Sequence, residues 1–254
     1  MVLQMTNKSS SSLLLGLIAT GLALLAGVTA ARADIYVIES SVASVAVGTH
    51  LAMGDTLSIP SGGQIRAVLP TGKTQTIRGP FEGKVSDLAK GAQNEGVWSW
   101  MKTMLKTGGS TEITTGATRS VSREAKPRPF SWMEVPTAVS GDICVQKGAK
   151  VSVTRTSTAR IDRATLVDAA SGERAEVVWE AGSQTTDWPA SLKLRDGGAY
   201  QLFQQDRPKR DVTVRIIDKL PDEDDLLAEL QTRGCKHQFD AWLRDKIAAA
   251  RGKS

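Results

Sequence analysis

Ser191-Leu-Lys-Leu-Arg-Asp-Gly-Gly-Ala-Tyr-Gln-Leu-Phe-Gln-Gln-Asp-Arg-Pro-Lys-Arg-Asp-Val-Thr-Val-Arg-Ile-Ile217 contains short runs of alternating apolar residues, closed off by Asp196-Gly197-Gly198 and Asp206-Arg207-Pro208. Glycine supplies a positive φ and proline a fixed one where a chain reverses, so each run predicts a short strand between turns. Working outward, the same texture fills residues 130–218, with candidate strands at 143–146, 150–155, 163–168, 175–180, 191–194, 199–205 and 211–217 and a further turn at Ser171-Gly172. About seven strands with no helix between them predict an antiparallel sandwich of immunoglobulin-like type.

A second β-like region covers residues 35–85. Val42, Val45 and Val47, then Leu57 and Ile59, then Ile65, Ala67 and Leu69, then Thr74, Thr76 and Ile77 form short runs. Gly54-Asp55, Pro60-Ser61-Gly62-Gly63, Pro70-Thr71-Gly72-Lys73 and Gly79-Pro80 punctuate them. Four or five short strands are the expected outcome. Residues 93–107 follow with Trp98, Met101 and Leu105 at helical spacing and Trp100 and Met104 on a neighbouring face, which predicts a short helix. Its tryptophans are expected to pack on the strand region; the alternative is an amphipathic segment using Lys102 and Lys106 against lipid phosphates.

The remaining spans complete a five-part organisation. Residues 1–33 read as a signal peptide, 34–107 as a β module with a short helix, and 108–129 as a Gly/Ser/Thr-rich basic linker. Residues 130–218 are the sandwich and 219–254 a helical tail. In the tail, Pro221 and the acidic run Asp222-Glu223-Asp224-Asp225 mark a helix start. Leu226, Leu227 and Leu230 form one stripe, Phe239, Trp242, Leu243 and Ile247 another, and Gly234 separates two helices.

At the amino end, Lys8 precedes an apolar run of 18 residues, 13–30, and Ala31-Arg32-Ala33 offers the small residues a signal peptidase reads. Cleavage is expected between Ala33 and Asp34. The run is close to the length that spans a hydrocarbon core, so a retained anchor, with membrane contact through that segment, is the alternative. Removing residues 1–33 from the 254 leaves 221, and the formal charge falls from +5 to +3. That weak basic excess contains no block of five or six cations, and nucleic acid is not an expected partner. Cys144 and Cys235 are the only cysteines, and in an oxidising compartment an even pair is expected to bridge. Closing a loop of about ninety residues stabilises a fold by on the order of 4 kcal/mol in the chain-entropy picture.

Candidate chemistry is thin. Gly72-Lys73-Thr74 has Ala67 where a phosphate-binding loop needs glycine, and strands surround it. Ser99-Trp100-Met101-Lys102 and Lys106-Thr107-Gly108 lie too close together for the penicillin-binding pattern, and no Gly-x-Ser-x-Gly occurs. His237 stands two residues from Cys235, which a catalytic thiol would need; a zinc set of Cys144, Cys235, His237 and His50 lacks the two closely spaced pairs of a structural site. Asp222 to Asp225 offer carboxylates to calcium without an Asp-x-Asp-x-Asp-Gly loop. The six tryptophans are expected to be buried anchors, with a sugar platform as the alternative. No catalytic residue, metal or cofactor is expected.

The segment Val47-Gly48-Thr49-His50-Leu51-Ala52-Met53-Gly54-Asp55-Thr56-Leu57, followed by Ile59-Pro60-Ser61-Gly62-Gly63-Gln64-Ile65-Arg66-Ala67-Val68-Leu69 and by Gly79-Pro80, resembles a FecR-type periplasmic domain. The likeness covers about fifty residues and consists of a strand pair, a small-residue turn, a strand and a Gly-Pro corner. It implies a non-enzymatic β module that senses or binds partners in the envelope. Members that regulate sigma factors carry a cytoplasmic region before a membrane segment, whereas twelve residues precede Leu13 here, so the resemblance implies the module rather than that role. The function expected is therefore a non-catalytic, exported binding or scaffold protein with envelope protein partners. The alternatives are a cell-wall-acting envelope hydrolase and a signal-anchored subunit of an inner-membrane complex.

Overall fold

The computed structural model describes residues 34–91, 93–107 and 128–252, and the expected signal peptide and nearly all of the expected linker lie outside them. The chain is mainly β with helices at its carboxy end, as the patterning predicted. The first region runs β1 (Ile35–Ser40), β2 (His50–Leu51), β3 (Thr56–Ile59), β4 (Gln64–Val68), β5 (Thr74–Arg78), β6 (Phe81–Lys84), α1 (Val85–Leu88) and α2 (Glu95–Thr107). Strands β2-β1-β4-β5 form an antiparallel sheet, and β3 and β6 pair separately.

Strand β1 is apolar on consecutive positions because both of its faces are covered. Ile35 and Val37 join Leu57, Ile59, Ile65, Ala67 and Ile77 in one core cluster. Tyr36 and Ile38 point the other way, into a cluster built from helices. The β4–β5 turn requires Gly72 at φ +84°, where an added Cβ would come 2.8 Å from Val97 of α2. The expected strand through Val42, Val45 and Val47 is a pair of turns instead. The Ser40 hydroxyl accepts the Val42 N–H and the Val45 N–H bonds to the Val42 carbonyl, so Val42 and Val45 are buried without a ladder and Val47 is half-buried.

The second region contains β7 (Glu134–Pro136), β8 (Gly141–Gln146), β9 (Ser152–Thr154), β10 (Asp162–Asp168), β11 (Arg174–Trp179), β12 (Thr185–Asp187), β13 (Ala199–Gln204) and β14 (Arg210–Ile217). A five-stranded sheet β11-β10-β13-β14-β8 faces a three-stranded sheet β12-β9-β7. Side chains from both interleave: Val135, Ile143, Tyr200 and Val214 in one cluster, Val153, Leu166, Trp179 and Leu202 in the next. This is a β sandwich, antiparallel except that β14 pairs with β8, and β7 with β9, in parallel. Tyr200, at the start of β13, donates to the Lys193 carbonyl at 2.5 Å and accepts the Arg195 N–H at 3.2 Å, the arrangement of a tyrosine corner. Residues 191–194 are not a strand, and a strand the patterning did not mark, β12, forms just before them and pairs with β9. Pro189 starts a turn closed by the Leu192 N–H, and Leu192 plugs the core from the loop.

The tail forms α3 (Leu226–Thr232) and α4 (Lys236–Arg251). Gly234 sits between them at φ +80°, where a Cβ would meet the Asp142 carboxylate at 2.8 Å. Both helices and α2 share one cluster with Tyr36, Ile38, Cys144 and Ile217, so the helical layer packs on both β regions. Arg128, at the end of the expected linker, is tied down by Glu134 and by Gln184 at 2.7 Å.

Candidate interaction surface

Cys144 of β8 and Cys235, which precedes α4, form a disulfide with Cα atoms 5.8 Å apart and neither residue exposed. Beside it Gln238 serves as a surrogate strand. Its Oε1 accepts the Cys144 N–H at 2.7 Å, and its Nε2 donates to the carbonyls of Cys144 at 2.6 Å and Ser131 at 2.8 Å. The edge of β8 is thereby satisfied by a side chain, which removes the cost of burying unpaired backbone groups. Periodicity marked Phe239 and Trp242 but had no signal for Gln238.

The acidic run ahead of α3 is a clasp on the first sheet. Arg66 donates to Asp224 at 2.6 Å and lies 3.3 Å from Glu223, while Lys73 pairs with Asp225 at 2.7 Å. The Thr74 N–H bonds to the Asp224 carbonyl at 2.8 Å. Lys246 of α4 pairs with Glu223 and reaches Glu39 of β1 at 3.4 Å. The hydrogen bond from Lys246 holds the Glu223 carboxyl below its ordinary range, against a smaller opposing effect of burial. A small cavity of about 240 Å³ opens along this seam, lined in part by Glu39, Gln64, Arg66 and Lys246, of which Lys246 pairs with Glu39 and Arg66 with Glu223 of the clasp.

The other residues singled out from sequence fall at separate places in the fold. Lys73 of Gly72-Lys73-Thr74 is in the clasp, and Ser99 and Lys102 are exposed on α2, where the Ser99 carbonyl accepts the Thr103 hydroxyl. His50 lies 3.2 Å from Asp34, the expected first mature residue, with its ring edge-on to Trp98; Ala33 lies outside the described residues. His237 is pulled down to about 4, first by burial and then by Arg244 and Lys236. Among the described residues no group of three His, Cys, Asp or Glu is placed to hold a metal. Trp98, Trp179 and Trp242 are buried, and Trp100, Trp132 and Trp188 stack edge-on against Phe239, Phe130 and Tyr200. Trp98 also donates to the Pro70 carbonyl at 3.2 Å, fixing α2 on the first β region.

The loop end of the sandwich between β9–β10 and β13–β14 is open to solvent. A cavity of about 510 Å³ there is lined by Arg155, Arg160, Arg163 and Arg207 with two aspartates, Asp162 and Asp206. Ile161 and Phe203 are exposed large apolar residues of the adjoining strands and loop. No described helix is long and apolar enough to cross a membrane. Comparison of the chain with protein-family models, with curated proteins and with solved structures returns no match.

Proposed function

We propose that this chain is an exported, non-catalytic binding or scaffold protein of the bacterial cell envelope, with a FecR-like interaction module ahead of a β sandwich. The observation that carries the reading is the use made of its reactive side chains: the two cysteines are joined in the core, and the acidic run and Lys73 are engaged in ion pairs that hold elements together. Export is supported by the apolar run at 13–30, the small residues before Asp34, and a disulfide of the kind that persists in oxidising compartments. The strands and glycine turns between His50 and Pro80 support the FecR-like reading. Binding would use exposed loops and strand edges such as β11.

Fractionation of expressing cells with amino-terminal sequencing tests this. The expected result is periplasmic protein beginning at Asp34. Recovery from the cytosol with residues 1–33 attached overturns the proposal, and recovery from the inner membrane with that segment retained replaces it by the anchored-subunit reading.

A further inference from the structure

The arginine-lined cavity is built from two loops whose shape is fixed from beneath. Arg155 is the floor: its side chain is 1% exposed, and its guanidinium donates to the carbonyls of Ser183, Arg160 and Glu180 at 2.9, 2.7 and 2.7 Å. The bond to the Arg160 carbonyl ties the β9–β10 loop to a buried group that the Ser183 and Glu180 carbonyls also hold. Across the cavity, Asp206 takes φ 60°, the only positive φ outside glycine among the described residues, in the hairpin that presents Arg207.

Charge in the cavity is unbalanced toward the positive. Of the two aspartates, Asp162 is spent: it accepts Gln204 Nε2 at 2.5 Å and the Arg163 N–H at 2.9 Å, and lies 3.9 Å from Arg155. Arg163 reaches Glu176 at 2.9 Å, with both side chains more than half exposed. Arg160 and Arg207 are exposed, and neither forms an ion pair among the described residues. The lining as a whole sets four guanidinium groups, of Arg155, Arg160, Arg163 and Arg207, against the two carboxylates of Asp162 and Asp206. A guanidinium fork matches the oxygens of phosphate, and a dianion calls for more than one cation. The cavity volume lies within the range of small-ligand sites.

We propose that this cavity binds a phosphate-bearing ligand, with Arg160 and Arg207 as its principal cationic donors and Arg163 assisting. The inference rests on reading the chain as a binding protein and supplies the ligand chemistry for that role. Ser157 provides a hydroxyl in the lining, and Ile161, 53% exposed, provides apolar surface for the remainder of the ligand. The phosphate has two sources, a soluble phosphate ester or a lipid headgroup.

Calorimetric titration of the purified protein with inorganic phosphate and glycerol phosphate, beside sedimentation with phosphatidylglycerol and with phosphatidylcholine-only vesicles, tests the site and separates the sources. Saturable binding that weakens with added salt is expected, falling at least tenfold in Arg160→Ala/Arg207→Ala. Arg160→Lys/Arg207→Lys, which keeps the charge and loses the forks, should lie between. Lys147→Ala/Lys150→Ala removes two exposed charges elsewhere and should leave binding unchanged. Binding of the soluble phosphates assigns a soluble ligand, and binding of phosphatidylglycerol vesicles alone assigns a headgroup. Absence of saturable binding to either, or equal loss in the lysine-to-alanine control, overturns the site. Because the assay uses purified protein, its failure leaves the fractionation result standing, and the reverse also holds.

Discussion

Strands β13 and β1 occupy their regions in different ways. Along β13 buried and exposed residues alternate, Tyr200, Leu202 and Gln204 facing inward and Phe203 standing in solvent. Along β1 four consecutive residues, Ile35 to Ile38, are buried. The sandwich closes two cores from its own strands, whereas the first sheet turns Tyr36 and Ile38 into a core supplied by α2, α3 and α4. The difference teaches that the tail is a shared layer: it completes the first sheet, is bonded covalently to β8, and couples the stability of the two β regions.

The comparison is broken most severely at Phe239, fully buried in that layer and edge-on to Trp100. Phe239→Ala should cost about 3–5 kcal/mol in urea unfolding, with β1 and the sandwich losing amide protection together. Loss of β1 protection with an unchanged sandwich would mean that the layer serves only one side.

Next in size is the disulfide. Cys144→Ala/Cys235→Ala should destabilise by about 4 kcal/mol in the chain-entropy picture, read as a lower urea midpoint. A midpoint unaltered within error would show that packing and Gln238 alone hold α4.

His237 gives a pH signature on the same helix. Its folded-state value near 4 lies below the 6.5 of the free side chain, so the unfolded chain binds the proton first. Stability should therefore fall as pH drops from about 6.5 to 4, by on the order of 3 kcal/mol. His237→Gln should flatten that window, which guanidinium titrations at pH 7 and 4.5 would read.

The smallest effect sharpens the contrast between dry core and ionic clasp. Glu223 is depressed in the folded state, so its contribution is present above the ordinary glutamate range and is lost as pH falls through the lowered value. With its side chain 42% exposed, solvent screening limits that contribution to under about 1 kcal/mol. Glu223→Gln should remove it, and high salt should erase the difference between variant and parent.

Legibility followed the number of covered faces. The run through Val212 and Val214 was readable because alternation survives wherever one face is wet, and the stripes of α3 and α4 were readable for the same reason. Strand β1 had no alternation to read, and residues 191–194 alternated yet serve as a plug behind Pro189. Pairing direction was also hidden: β8 with β14 and β7 with β9 are parallel, which residue patterning does not encode. The cysteine pair followed from count and compartment, while Gln238 and the clasp of Arg66 on Asp224 depend on contacts 94 and 158 residues apart. The arginine cavity is assembled from three short segments and has no motif of its own.

The proposed export and the covalent link between β8 and the tail meet in one quantity, the number of reactive thiols in protein isolated from expressing cells and unfolded in denaturant. The account predicts none before reductant and two after it, from Cys144 and Cys235. Two reactive thiols without reductant would contradict both the staple and the oxidising compartment.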